Sequence, residues 1–272
     1  MSEKADGDAG SASIPASFQE SIDAMQALGH SPSIEEWLVF SCSEQWARRK
    51  AALRRVLHPG HDRRLTRSKR VQERVAAMLH EAKKEDTPLL PTLALVLKYM
   101  RVLGAGKDLV EALAWAPSSR NAKALVHFIL SALGRQGGEE EKAALMGFLR
   151  QPGAHESHTA ACIEALTHCP GHEVLTTISC FRNHPSPTVR MAVARGMARL
   201  GDPDGPAMMY ACYLDPEWLA QTEKFMVMLT PEMQRSQRAY LARQRRKWRR
   251  AAALTALQAG EASHSESSGA VD

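Results

Sequence analysis

The sequence predicts an all-α protein, an α-solenoid of helical hairpins with atypical capping helices at both ends. Three observations support this fold class. Apolar residues recur at spacings of three and four between Gly, Pro and Ser punctuation, as consecutive amphipathic helices require. No segment shows the alternation of apolar and polar residues that marks a strand. The helical pattern also repeats roughly every 30 to 36 residues in the middle of the chain, a period near that of helix-pair arrays.

Composition divides the 272 residues into five predicted segments. The two ends are polar and lack periodicity, so we expect flexible tails that cannot bury enough apolar surface to become ordered. Repeat units need neighbours to cover their apolar faces, and the terminal units therefore act as caps. The predicted segments are a tail at 1–15, a helical cap with a basic segment at 16–90, a repeat array at 91–229, a basic helix at 230–258 and a tail at 259–272.

The clearest hairpin is predicted in residues 186–215. Ser186 is a natural N-cap and Pro187 suits the first helical position. Gly201 then ends the first helix, and Pro206 opens the second after a tight turn. The apolar face of the first helix comprises Val189, Ala192, Val193, Gly196, Met197 and Leu200, and that of the second comprises Met208, Met209, Cys212 and Tyr213.

This hairpin resembles a HEAT repeat. The pattern Pro-x-Val-Arg at a helix start, then small residues, Leu-Gly-Asp and a second helix is similar to the short repeats of bilin-lyase-like HEAT proteins. Two earlier segments match its first helix, residues 158–169 at an offset of 31 and residues 122–133 at a further offset of 36. A TPR-like array has a similar period, but the TPR signature of Trp, Leu-Gly and Tyr is absent. The resemblance implies a binding scaffold.

The net charge of +5 conceals two basic segments. Residues 48–74 hold eleven Lys or Arg against two Asp or Glu, and residues 235–250 hold eight Lys or Arg and no acid. Because guanidinium groups bind carboxylate and phosphate through forked hydrogen bonds, these segments are candidate sites for an acidic protein or for nucleic acid. The predicted contact residues are Arg48, Arg49, Arg54, Arg55, Arg63, Arg64, Arg67, Arg243, Arg245, Arg246 and Arg249.

Each basic segment has an alternative interpretation. The first follows a stretch with eight acidic residues in 1–47, so it could pair within the protein and only solvate the cap. The second interleaves Arg with Tyr240 and Trp248, which suits single-stranded RNA or an anionic membrane surface. It could equally be a capping helix that packs Leu241, Trp248 and Leu254 on the last repeat.

Evidence for catalysis or for a metal is weak in the sequence. Eight His and Cys residues lie in 155–184, but Cys162 and Cys169 fall on core positions of the repeat, and no CxxC pair is present. No phosphate-binding loop, dinucleotide-binding glycine motif or nucleophile elbow occurs. We therefore predict no catalytic residue, metal or cofactor. An enzyme on the same scaffold, either a repair-type enzyme or a prosthetic-group lyase, would need a carboxylate such as Glu164 or Asp215 beside Trp218.

The sequence thus predicts a non-enzymatic HEAT-like adaptor that binds an acidic protein, or alternatively nucleic acid, through its Arg-rich ends. A purely structural subunit of a larger assembly is a further alternative. No apolar run of membrane-spanning length is present, and weak contact with a membrane surface stays open. The chain has five Cys, an odd number, and most of them lie at apolar positions of helical patterns. This usage suggests free thiols in a reducing compartment, and we therefore expect a cytoplasmic protein.

Overall fold

The computed structural model describes residues 16–57, 63–82, 89–102, 104–116, 122–169 and 171–267. All regular secondary structure in these ranges is helical, which confirms the all-α class. The predicted tail at 1–15 lies outside the described residues. The chain forms two compact units, Met1–Val96 and Leu97–Asp272.

Unit 1 is built around a buried tryptophan. Trp37 is completely buried, and its indole Nε1 donates a hydrogen bond of 2.7 Å to the carbonyl oxygen of Ala52. Its helix begins with a capping box, in which Ser33 and Glu36 each satisfy a backbone N–H of the other. The helices of this unit are α1 (Ala16–Leu28), α2 (Ile34–Ser41), α3 (Trp46–Leu57), α4 (Arg63–Arg67) and α5 (Lys69–Ala82).

Unit 2 holds most of the predicted repeat array. Helix α6 (Leu90–Tyr99) ends inside it. Gln136 is the last residue of a later helix, and its side chain holds the end of α6. It accepts from the N–H of Val102 and donates to the carbonyl oxygens of residues 97 and 100. The helices after α6 are α7 (Ala105–Trp115), α8 (Ala122–Gln136), α9 (Glu139–Leu149), α10 (Glu156–Leu166), α11 (His172–Ser179), α12 (Pro187–Arg199), α13 (Gly205–Leu214), α14 (Pro216–Met226) and α15 (Pro231–Ser267).

Five helices of unit 2 pack one against the next in a row. Helix α8 packs against α10, α10 against α12, α12 against α13, and α13 against α15. Helices α8, α10 and α12 are the ones whose apolar residues match in the sequence, at offsets of 36 and 31. Their matched positions are buried, except that Ala122, His158 and Leu200 are half-buried. The pattern in the sequence therefore predicts which residues face inward.

The predicted hairpin at 186–215 is confirmed as helices α12 and α13. Ser186 is the N-cap and Pro187 the first helical residue, although the Ser186 hydroxyl makes no capping hydrogen bond. Gly201 follows α12 with φ +82°, in the left-handed region that glycine adopts at helix ends. The second helix begins at Gly205, one residue before the predicted Pro206.

Helix α15 is longer than the sequence predicts. The expected tail begins at residue 259, whereas the structure continues the helix to Ser267. Residues 251–258 are mainly Ala and Leu, and no Pro lies between Pro231 and the end of the helix. Because Ala, Leu and Glu are strong helix formers, propensity carries this segment beyond the point at which packing ends.

Gly134 allows α8 and α10 to approach closely. A Cβ at this position would lie 2.6 Å from the Cα of Ala165, whereas a Cβ at Gly147 on α9 would meet nothing within 4 Å. We expect Gly134→Ala to destabilise the protein by about 1–3 kcal/mol, because the two backbones must separate. Gly147→Ala is the matched control and should stabilise by up to about 1 kcal/mol. Urea unfolding checks both, and equal shifts in the two midpoints would contradict the close packing.

Candidate anion-binding surfaces

Several arginines of the first basic segment bind the helices of unit 1 together. Arg55 is buried, and its Nη2 donates a hydrogen bond of 2.6 Å to the carbonyl oxygen of Met25. Arg74 donates to the carbonyl oxygen of Ser41 at 2.9 Å and pairs with Glu81 at 3.1 Å. Arg49 donates to the carbonyl oxygen of Ser43 and pairs with Glu81, and Arg70 pairs with Glu35. Of these contacts, the Arg70–Glu35 pair is the pairing with the acidic stretch 1–47 that the sequence left as an alternative, whereas the others use Glu81 or backbone carbonyl oxygens.

Other members of this segment face solvent. Arg48 is exposed, and its guanidinium lies 5.5 Å from the centre of the Phe40 ring. Arg54 is half-buried. Burial and the neighbouring Arg54 lower the pKa of Lys50. The remaining exposed residues of the predicted set are Arg63, Arg64 and Arg67, on the short helix α4.

One side of α15 packs on the core of unit 2. Leu241 is buried and Trp248 is half-buried against a cluster that includes Met209 and Tyr213. Arg245 is half-buried beside them, with its Nε out of contact with solvent. The capping interpretation is therefore correct for Leu241 and Trp248. It is wrong for Leu254, which is 61% exposed because it points away from the packed side.

The opposite side of α15 forms a basic surface, which we call the α15 free face. It lines a shallow groove of about 550 Å³. Its members recur at spacings of three and four, which places them on one side of a helix. They are Arg243, Arg246, Lys247, Arg250, Ala251 and Leu254.

The four arginines of α15 that the sequence predicts as contact residues lie in different surroundings. Arg243 and Arg246 belong to the free face, whereas Arg249 is exposed outside the groove and Arg245 is half-buried. Sequence reasoning omitted Lys247 and Arg250 from the contact set, although their helical spacing from Arg243 could have identified them. Spacing along the helix is thus a better guide to this surface than the density of arginine.

The two aromatic residues of this segment have different surroundings, because Trp248 packs on the core whereas Tyr240 is 44% exposed. Trp248 points toward the core, and the Lys247 ammonium lies 4.8 Å from the centre of its ring. Stacking of nucleic acid bases needs an exposed aromatic face. Core packing therefore accounts for Trp248, whereas Tyr240 keeps an exposed aromatic face.

The His- and Cys-rich stretch contributes to the fold. Cys162 is buried and donates from Sγ to the carbonyl oxygen of Leu145 at 3.2 Å. Burial raises the pKa of the Cys169 thiol to about 11. His158 lies with Nε2 2.9 Å from the carbonyl oxygen of Lys123. Among the described residues, no group of three or more His, Cys, Asp or Glu side chains could hold a metal ion.

The two carboxylates considered for an enzyme have different surroundings. Asp215 is the N-cap of α14, and its Oδ1 accepts from the N–H of Glu217 at 2.9 Å and of Trp218 at 3.0 Å. The hydrogen bond from Trp218 and the one from Arg190 lower the pKa of Asp215. Glu164 pairs with Arg195 and lines a cavity together with Trp218.

Comparisons with known proteins do not assign the chain to a family. No protein-family model, no curated protein and no solved structure matches the chain. None of the helices within the described ranges combines the length and apolar composition needed to cross a bilayer.

Proposed function

We propose that this protein is a non-enzymatic HEAT-like adaptor that binds an acidic protein segment on the α15 free face. The HEAT-like part rests on the row of α8, α10 and α12, whose apolar positions also match in sequence. Such arrays act as scaffolds because stacked helices present a long surface. The binding part rests on one observation, the groove of Arg243, Arg246, Lys247 and Arg250 that continues into Leu254.

The free face is electrostatically unfavourable in the isolated chain. Arg243 and Lys247 are four residues apart, as are Arg246 and Arg250, and like charges at this spacing destabilise a helix by about 0.2–0.5 kcal/mol per pair. Residues 235–250 contain no acidic side chain to compensate. A partner that supplies carboxylates relieves this repulsion and forms forked hydrogen bonds with the guanidinium groups.

Apolar residues next to the charges favour a protein over nucleic acid. Leu254 is 61% and Leu257 is 64% exposed, one turn apart at the end of the basic row. Phosphate contacts would leave both leucines in water, whereas an amphipathic acidic helix covers them with its own apolar residues. The preferred partner is therefore a helix whose contact face carries Glu or Asp along one half and aliphatic residues along the other half.

Charge reversal on the free face tests this proposal. We expect Lys247→Glu with Arg250→Glu to weaken binding of a labelled acidic amphipathic peptide at least tenfold in fluorescence anisotropy, a loss of about 1.4 kcal/mol or more. Arg235→Glu with Arg249→Glu is the matched control, with the same change in charge at two exposed positions of the same helix outside the groove. At physiological ionic strength the screening length is about 8 Å, so the control should lose much less affinity.

A second comparison separates protein from nucleic acid. Leu254→Ser should weaken peptide binding while leaving the salt dependence unchanged, because it removes apolar contact only. The proposal is wrong if single-stranded RNA or duplex DNA binds more tightly than the peptide at physiological salt and is indifferent to Leu254→Ser. It is also wrong if both double reversals weaken peptide binding equally.

A further inference from the structure

Helices α8, α10 and α12 carry a groove that the basic ends do not involve. It consists of two adjoining cavities of about 220 and 290 Å³ within unit 2. Both cavities are lined by His127, Ala161, Glu164 and Arg195. The small side chains of Ala161 and of neighbouring alanines open the space between the helices. Ligand pockets typically enclose about 300–1,000 Å³, so the two cavities together suit a small molecule.

The first cavity is strongly cationic. Lys98, Arg135, Arg195 and Arg199 line it, together with His127 and His168, and Glu164 is the one carboxylate among the described residues that line it. Glu164 pairs with Arg195. Neither Lys98 nor Arg135 forms an ion pair with any other described residue. The cavity therefore has a surplus of positive charge that the described part of the chain does not neutralise.

Two of these cations, Arg199 and Arg135, lie near His168. Nη1 of Arg199 donates to Oγ1 of Thr167 at 2.8 Å and lies 3.3 Å from Nε2 of His168. Burial, Arg199 and Arg135 together lower the pKa of His168. Burial and Lys98 likewise lower the pKa of His127. Burial is the largest cause of each shift, and the neighbouring cations add a positive potential that an anion would reduce.

The second cavity is mostly apolar and contains an aromatic ring. Ala160, Met191 and Ala192 line it with Trp218. The Trp218 ring is held edge-on against Tyr213 with a centroid distance of 5.2 Å, and the cap at Asp215 fixes the start of its helix. A flat group can therefore pack beside Trp218 in a preformed position.

We propose that this groove binds a phosphorylated small molecule with an aromatic group, of the nucleotide class. Its phosphates contact Arg135, His168 and Arg199 in the first cavity, and its ring extends over Ala161 toward Trp218 in the second. Guanidinium groups suit phosphate because they donate paired hydrogen bonds to two of its oxygens. This inference is independent of the α15 free face, which lies on a different helix.

Isothermal titration calorimetry of the full chain with ADP, pyrophosphate and adenosine tests the site. We expect saturable binding of ADP at a single site, weaker binding of pyrophosphate, and still weaker binding of adenosine. Arg135→Ala and Arg199→Ala should each reduce ADP affinity at least tenfold. Arg135 is exposed, so its variant retains the fold even if loss of the Arg199 contact to Thr167 does not. The matched control is Arg150→Ala, an exposed arginine at the end of α9.

Two further measurements exclude adventitious binding. Lys247→Glu with Arg250→Glu should leave ADP affinity unchanged, which separates this site from the basic helix. Binding of ADP should also raise the pKa of His168, measured by NMR, because phosphate charge favours the imidazolium. The inference is wrong if ADP shows no saturable binding at millimolar concentration, or if it binds the Arg135 and Arg199 variants as tightly as the unchanged protein. Equal affinities for ADP and pyrophosphate would also overturn it, because the aromatic part would then contribute nothing.

Discussion

Replacing Trp37 with alanine is expected to destabilise unit 1 by about 3–5 kcal/mol, the usual cost of removing a buried large aromatic side chain. The indole is completely buried, and it donates to the carbonyl oxygen of Ala52 on α3. Its loss removes this hydrogen bond between α2 and α3 and leaves a cavity where the indole was buried. Because a domain is stable by only about 5–15 kcal/mol, we expect the helices of unit 1 to unfold at much lower urea concentration.

The control for this variant is a second tryptophan of the same unit. Trp46 is half-buried at the start of α3, where the Lys50 ammonium lies 5.3 Å from its ring centre. Trp46→Ala should cost clearly less than Trp37→Ala, because its ring is already partly in water. Urea titration followed by far-ultraviolet circular dichroism measures both. A loss at Trp37 no larger than that at Trp46 would contradict its position at the centre of unit 1.

Replacing Gln136 with leucine is expected to destabilise unit 2 by about 2–4 kcal/mol, although the volume of the side chain is nearly conserved. Gln136 is buried, and its Oε1 accepts from the N–H of Val102 at 2.9 Å. Its Nε2 donates to the carbonyl oxygens of Leu97 and Met100, both at 3.2 Å. The leucine would leave all of these backbone groups without their partner, and each unsatisfied buried group costs about 1–3 kcal/mol.

Gln136→Glu sharpens this prediction. The carboxylate can still accept from Val102, but it places negative charge against the carbonyl oxygens of Leu97 and Met100. Its destabilisation should therefore be greater at neutral pH than at acidic pH, where the carboxyl group is protonated and can donate. Gln151→Leu, at an exposed position, is the control and should change stability little. Equal urea midpoints for Gln136→Leu and Gln151→Leu would show that the hydrogen bonds at Gln136 do not support the fold.

Local features of the fold could be predicted from the sequence where one residue has one physical role. Pro187 begins α12, Gly201 follows it in the left-handed conformation, and the apolar spacing between them identifies the buried face. The matched positions of α8 and α10 are buried for the same reason. The length of α15 differs from the prediction, because Ser and Gly near its end indicate a tail whereas the preceding Ala and Leu favour helix.

The candidate sites depended on contacts that spacing cannot show. Arg55 and Arg63 look alike in sequence, yet Arg55 is buried against Met25 and Arg63 is exposed. The groove of unit 2 joins Lys98 and Arg199, which are far apart in the chain. Their convergence follows from the packing of α8, α10 and α12, and no local pattern encodes it.

Amide hydrogen exchange of α15 with and without the acidic peptide tests the central claim most directly. The packed residue Leu241 is buried, whereas Leu254 and Leu257 are exposed, so the second half of the helix should exchange faster in the free protein. We predict that the peptide, at physiological salt, slows exchange in residues 243–257 and that Lys247→Glu with Arg250→Glu abolishes this protection. Saturable peptide binding without added protection in residues 243–257 would contradict the α15 free face as the binding surface.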